Sequence, residues 1–195
     1  MSIGSATNIA HALKKYPELV EDAAEIIYMG GDIDVPGNAT AAAEMNWYYD
    51  PGAIKLCLSA GWKKQTIVPD DLSRHIRLTQ EFYDRLAENN TNAITRLILS
   101  GTRTFTADIA NYVWDVLLPV MFLKPEIITD LQERYITVDN TPGINSGRAV
   151  SWKQNANNDI KSGKGFPEGV RKADIVMGID TAAFWDFYID MLSMK

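Results

Sequence analysis

The chain has 195 residues, 46% of them hydrophobic and 23% charged, which suits one domain with a real core and excludes a disordered chain. A net charge of −6 and a pI near 4.9 exclude a non-specific nucleic-acid binder, which needs a basic surface to neutralise phosphates. No apolar run reaches the roughly 20 residues of a membrane span, and the lone Cys57 rules out an intrachain disulfide or a cysteine metal cluster.

The first residues, MSIGSATNIAHAL, lack a basic segment followed by an apolar core, so a cytoplasmic location is expected. Thr7 to Tyr16 reads as a helix with Ile9, Ala10 and Leu13 on one face, ended by Pro17. Glu25 to Met29 is a short strand running into Gly30-Gly31. Asp50-Pro51 is a helix start, with the helix running through Leu58 to Gly61. Gln65 to Val68 is a second strand, and Pro69-Asp70-Asp71 opens a helix through about Ala87.

Thr91 to Leu99 is helical and is broken at Gly101 to Thr104. Thr106 caps a helix over Ala107 to Leu123, kinked at Pro119, and Pro125 starts another turn. YITVD and RAVSW form a hairpin around Thr141-Pro142-Gly143, and Gln154 to Gly169 is a long polar loop. A strand from Asp174 to Ile179 and a helix from Thr181 to Met194 close the chain. The alternation implies an α/β fold: an open, mostly parallel sheet with helices on its faces and a late antiparallel hairpin, all in one domain over residues 1–195.

Folding explains the stretch Met29 to Pro51 least well. If residues 44–46 are extended, Glu44 and Asn46 point the same way, with Asn38 on the turn before them. Amides and a carboxylate offer the donors and acceptors that sugar hydroxyls take, but the same groups would also serve their own loop's backbone. Trp114 and the Trp47-Tyr48-Tyr49 run could supply flat surfaces for a ring; Tyr112 and Phe122 read as core. Asp115 stands inside NYVWDVLLPVMFL, where a buried ionised carboxylate must find a cation, a metal or a proton. A helix N-terminus explains Asp70-Asp71, and no P-loop, nucleophile elbow or zinc signature is present.

Thr7-Asn8-Ile9-Ala10-His11-Ala12-Leu13, Met29-Gly30-Gly31, Gly37-Asn38, Ala43-Glu44-Met45-Asn46, Asp50-Pro51 and Trp114-Asp115 resemble, in order and spacing, the blocks of the inosine-uridine preferring nucleoside hydrolases. The ending RAVSW…ADIVMGIDTAAFWDF is similar as well, so the resemblance covers nearly the whole chain.

The resemblance implies hydrolysis of the N-glycosidic bond of ribonucleosides with the help of calcium. It makes Asp115 a calcium ligand that also touches ribose, and Ile3 a ligand through its backbone carbonyl. Asn38 and Glu44 would hold the 5′ side of the ribose, Asn46 the 2′,3′ side, and Met29 would pack beneath the sugar. Trp114, where many members have histidine, implies stacking on the leaving base and a preference for purines.

The family's DxDxxxDD cluster, which supplies most calcium carboxylates and the base, has no counterpart in these residues. The expectation is therefore a fold entered partway through. Such a chain is a weak or inactive hydrolase alone, associating through an exposed sheet edge with a copy of itself or with a partner that supplies the rest. The competing expectation is a non-catalytic nucleoside-binding or assembly module.

Overall fold

The computed structural model describes residues 1–89, 91–101, 112–153 and 166–194. In chain order the first elements are α1 (Thr7–Lys15), α2 (Leu19–Asp22), β1 (Ile26–Met29), α3 (Met45–Tyr49), α4 (Pro51–Ser59), β2 (Gln65–Val68), α5 (Asp70–Ser73), α6 (Gln80–Glu88) and α7 (Ala93–Gly101). They are followed by α8 (Leu117–Leu123), a 3-10 turn (Pro125–Ile127), β3 (Ile128–Val138), β4 (Ala149–Lys153), β5 (Arg171–Ile179) and α9 (Thr181–Ser193). Two compact units result: Met1–Leu72 with Asp130–Met177, and Ser73–Thr129 with Gly178–Lys195.

The first unit is built on a five-stranded sheet in the order β1-β2-β5-β3-β4. β1 is parallel to β2, β2 is parallel to β5, and β3 is antiparallel to β4, as the hairpin pattern implies. Both β1 and β2 are buried along their whole length; that suits the apolar run IIYM, whereas in QTIV the polar Gln65 and Thr66 are buried beside Ile67 and Val68. On the far side of β1, Ser2 bridges Tyr28 in parallel, its N–H on the Ile27 carbonyl and its own carbonyl accepting from Met29 N, both at 2.8 Å. Part of that strand edge is thus paired within the chain.

Helices α1 and α4 cover the sheet, and Ala10, Leu13, Ile54, Cys57 and Leu58 meet Tyr28, Ile67, Ile136 and Ile175 in one core. A single residue ties the two helices together. Asp50 caps α4 by accepting from Ala53 N at 2.9 Å, with Pro51 in the first turn where no N–H is needed, and its other oxygen takes the Thr7 hydroxyl of α1 at 2.6 Å.

Of the elements that depart from the sequence expectation, three bear on the candidate residues or their surroundings. Residues 45–49 are helical rather than extended. The helix expected over 70–87 is two helices: the backbone of Arg77 pairs with Tyr112 in an isolated bridge, and the Thr79 hydroxyl caps a fresh start at α6. The third is α8, which begins at Leu117, so that Pro119 falls in its first turn, where a missing N–H costs nothing. The expected cap at Thr106 and residues 107–111 lie outside the described residues.

In the second unit, Leu117, Leu118, Val120 and Ile127 are buried, as are Phe184, Trp185 and Ile189 of α9. Asp180 starts α9 by accepting from Ala183 N at 3.0 Å, and its backbone N–H bonds the Ile127 carbonyl at 2.8 Å. Phe122, read from sequence as core, is 57% exposed, because α8 turns that face to solvent. No helix among the described residues is long and apolar enough to cross a membrane.

Candidate active site

Ligands of open α/β sheets bind beyond the carboxyl ends of the strands. Met29 and Val68 pair as the last residues of β1 and β2, so the loops that follow leave side by side. They are sewn together at once: Gly30 N bonds the Val68 carbonyl at 3.1 Å and Asp70 N bonds the Gly31 carbonyl at 3.0 Å.

Gly30 and Gly31 adopt φ of +147° and +82°, which a side chain disfavours. Space forbids one as well. A Cβ on Gly30 would stand 2.6 Å from Trp47 Nε1 and 2.8 Å from a Glu44 carboxylate oxygen. Trp47 is wholly buried against these glycines, so of the Trp47-Tyr48-Tyr49 cluster only the two tyrosines offer a surface.

Glu44 is the organiser of this corner. It is 2% exposed and caps α3, with Oε1 accepting from Asn46 N at 2.8 Å and Oε2 from Trp47 N at 3.2 Å. Oε2 also accepts from Gly31 N at 2.9 Å, which locks the glycine turn to the helix. Burial pushes the carboxyl above its ordinary range, and the three backbone donors pull the other way.

The expectation that Glu44 and Asn46 point in one direction from an extended segment is therefore corrected. Glu44 turns inward as the cap, while Asn46 sits in the first turn of α3. Its amide Nδ2 donates to the Met29 carbonyl at 3.1 Å and lies 3.2 Å from the Met29 sulfur. With the NH₂ held there, Oδ1 is left as an open acceptor.

Asn38 accepts from Met45 N at 2.9 Å and donates to Asp70 Oδ2 at 3.1 Å, so its side chain bridges the loop, α3 and α5. One amide hydrogen remains for a ligand. Asp71 accepts from Ile33 N at 2.8 Å and Asp34 N at 2.7 Å and so shapes the Asp32 to Val35 segment. These roles for Asp70 and Asp71 reach beyond the helix N-terminus expected of them. The signal available in the sequence was their place directly after a strand parallel to the one that ends in Met29.

Met29, Asn38, Glu44 and Asn46 thus converge at one end of the first unit. Ile3 is in the same unit, 56% exposed, just past the Ser2 bridge to β1. Although Asp32, Glu44, Asp70 and Asp71 are all buried, the described residues contain no group of three or more His, Cys, Asp or Glu side chains able to hold a metal ion. The described residues do not by themselves fit calcium.

Trp114 and Asp115 belong to the second unit. Asp115 was expected inside a buried helix; it lies in the turn before α8 and is exposed, its carbonyl accepting from Leu118 N at 3.2 Å. Pro119 dictates this by setting where α8 can start. Asp115 and Trp114 line one hollow of about 290 Å³ whose wall includes Phe82, stacked on Trp185 at 4.8 Å. Those apolar neighbours strip water from the Asp115 carboxyl and push it above its ordinary range.

The profile of the inosine-uridine preferring nucleoside hydrolases matches residues 1–186. The chain belongs to that family. Within it, the chain is 30% identical to the pyrimidine-specific ribonucleoside hydrolase RihA of Escherichia coli O9:H4 over 158 residues, 77% of this chain and 50% of that protein. It is 36% identical over 89 residues to the inosine-uridine preferring nucleoside hydrolase of Crithidia fasciculata, covering 46% of this chain and 28% of that one.

A solved inosine-guanosine nucleoside hydrolase superposes with a TM-score of 0.83 at 24% identity, covering 99% of this chain and 60% of that chain, which establishes the shared α/β fold. This nucleoside hydrolase family member thus spans half or less of these two curated relatives' length.

Proposed function

We propose that this family member binds ribonucleosides and serves hydrolysis of their N-glycosidic bond, with the Met29 to Pro51 stretch gripping the ribose. The observation that carries the reading is the fixed amide of Asn46. Its NH₂ is tied to Met29, so it presents a fixed acceptor to a sugar hydroxyl, next to the remaining amide hydrogen of Asn38. Glu44 acts by holding the turn and α3 in place rather than by exposing its own carboxylate. By the family resemblance, the Trp114 indole would stack on a purine as it leaves and the Asp115 carboxylate would take ribose. RihA is named for pyrimidines, so the base preference rests on Trp114 alone.

Calcium takes six to eight oxygens, and Asp115 with the Ile3 carbonyl falls far short of that number. Calcium therefore belongs to the proposal only with oxygen ligands beyond these two, and turnover by these 195 residues alone is weak or nil. A cytoplasmic location goes with this reading and is checked by cell fractionation.

A second reading, a non-catalytic nucleoside-binding or assembly module, is favoured by the inward turn of Glu44. Titration of the chain with inosine and uridine, followed by hydrolysis assays with and without calcium, separates the two. Binding lost in Asn46→Ala with no hydrolysis under either condition supports the module. Calcium-dependent release of base supports the hydrolase. Absence of binding to both nucleosides at millimolar concentration sinks both readings.

A further inference from the structure

The proposed nucleoside site leaves unused a polar hollow of about 540 Å³ in the first unit, beside the β3–β4 hairpin. That volume lies within the ordinary range for small-molecule sites. Its floor is Arg134, only 3% exposed, with every N–H committed. Nη1 and Nη2 clamp Asp34 at 2.9 and 2.6 Å, Nε and Nη2 bond Gln132 at 3.1 and 2.6 Å, and Nη1 also bonds Ser151 Oγ at 3.3 Å. The Arg134 charge is thereby neutralised, and Ser151, already an acceptor, has its own hydrogen left to donate.

Two further cations line the same hollow, Arg148 and Lys153, and neither forms an ion pair among the described residues. Lys153 stands directly opposite Arg134 in the hairpin register. Like charges at facing positions destabilise a strand pair; Asp34 hydrogen-bonds Arg134 and also feels the Lys153 charge, so one carboxylate serves both cations. Asp139 is the other carboxylate at the hollow; its oxygen accepts from Thr141 N at 2.9 Å, and it also interacts with the Arg148 charge. In a chain of net charge −6, a local surplus of cations around a spare hydroxyl is not a general property of the surface.

We infer that this hollow binds a small oxyanion of the phosphate type, held by Lys153 and Arg148 with the Ser151 hydroxyl donating to it. The anion adds counter-charge where the lining of the hollow sets three cations, Arg134, Arg148 and Lys153, against two carboxylates, Asp34 and Asp139.

The test is isothermal titration of the full chain with sodium phosphate, against sodium chloride at matched ionic strength and sodium acetate as the carboxylate arm. Saturable phosphate binding is expected, tighter than acetate, and Lys153→Gln and Arg148→Gln should each weaken it about tenfold, one charge-assisted hydrogen bond's worth. Both side chains are exposed, so circular-dichroism melts of the variants should match the parent. Lys14→Gln, at an exposed lysine of α1, should bind as the parent does. The inference is overturned if phosphate shows no saturable binding, if acetate binds more tightly, if both hollow variants bind like the parent, or if Lys14→Gln weakens binding as much as they do. None of these residues belongs to the proposed nucleoside site, so the two readings stand or fall separately.

Discussion

Replacing Glu44 with alanine removes an acceptor shared by three backbone donors, Gly31 N, Asn46 N and Trp47 N. Losing the cap of α3 costs about 0.5–2 kcal/mol, and leaving the buried Gly31 N–H without a partner adds about 1–3 kcal/mol. The sum is about 2–5 kcal/mol, a large share of the 5–15 kcal/mol that typically holds a domain together. For a chain of 195 residues each kcal/mol moves the melting point by about 2–4 °C, so Glu44→Ala should melt on the order of 10 °C lower.

Glu44→Gln keeps the shape and one acceptor oxygen, turns an NH₂ toward a backbone donor, and relieves the burial of a charge. It should lose less than half as much. The pH dependence separates these contributions. Because burial raises the carboxyl in the folded protein, its contribution to stability is fullest below the unfolded value and is lost as pH rises through the folded one. Glu44→Gln should abolish that part of the pH profile. The assay is thermal melting by circular dichroism between pH 4 and 8, on the order of eight conditions per variant. A Glu44→Ala protein that melts within about 2 °C of the parent would refute the claim that this carboxylate holds the turn to α3.

Gly30→Ala should be destabilised by about 2 kcal/mol or more, since its methyl group meets the buried Trp47 ring and Glu44 at an unfavourable φ; normal melting would contradict the packing described. Arg134→Met should cost about 2 kcal/mol, short of a fully buried pair because Asp34 is half in water. The same change should remove the acid limb of stability that Asp34 provides. Its carboxyl is held below the ordinary 3.8 chiefly by the Arg134 hydrogen bonds, so this stability is present above that value and lost as pH falls through the lowered one, as acid titration of the melting point will show. Trp114→Ala should weaken inosine binding about tenfold and uridine binding less, a difference that competition titration measures.

Much of this protein is legible in its amino-acid order because the decisive signals are local. Asp50-Pro51 starts α4 whatever lies around it, and Gly30-Gly31 marks a turn that only residues without a Cβ can make beside Trp47. The family blocks single out Met29, Asn38, Glu44 and Asn46, and the structure brings these four together at the end of β1. Their individual orientations were not legible. An extended 44–46 segment and a capped helix share the same residues, and what decides between them is whether Gly31 N is close enough to Glu44 to be bonded by it.

Asp115 fails in the instructive direction. Its apolar neighbours in sequence imply burial, but Pro119 delays the start of α8 and leaves the carboxylate in an exposed turn. The Arg134–Asp34 clamp joins residues one hundred positions apart and leaves no mark on either local sequence. Hydrophobic periodicity, caps and glycines therefore determined the strands and most of the helices, because those depend on neighbours along the chain, while the candidate site residues were singled out by the family resemblance. Only the tertiary structure decided which polar groups turn inward and which stay open to a ligand, because a buried donor or acceptor takes whichever partner the fold brings within reach.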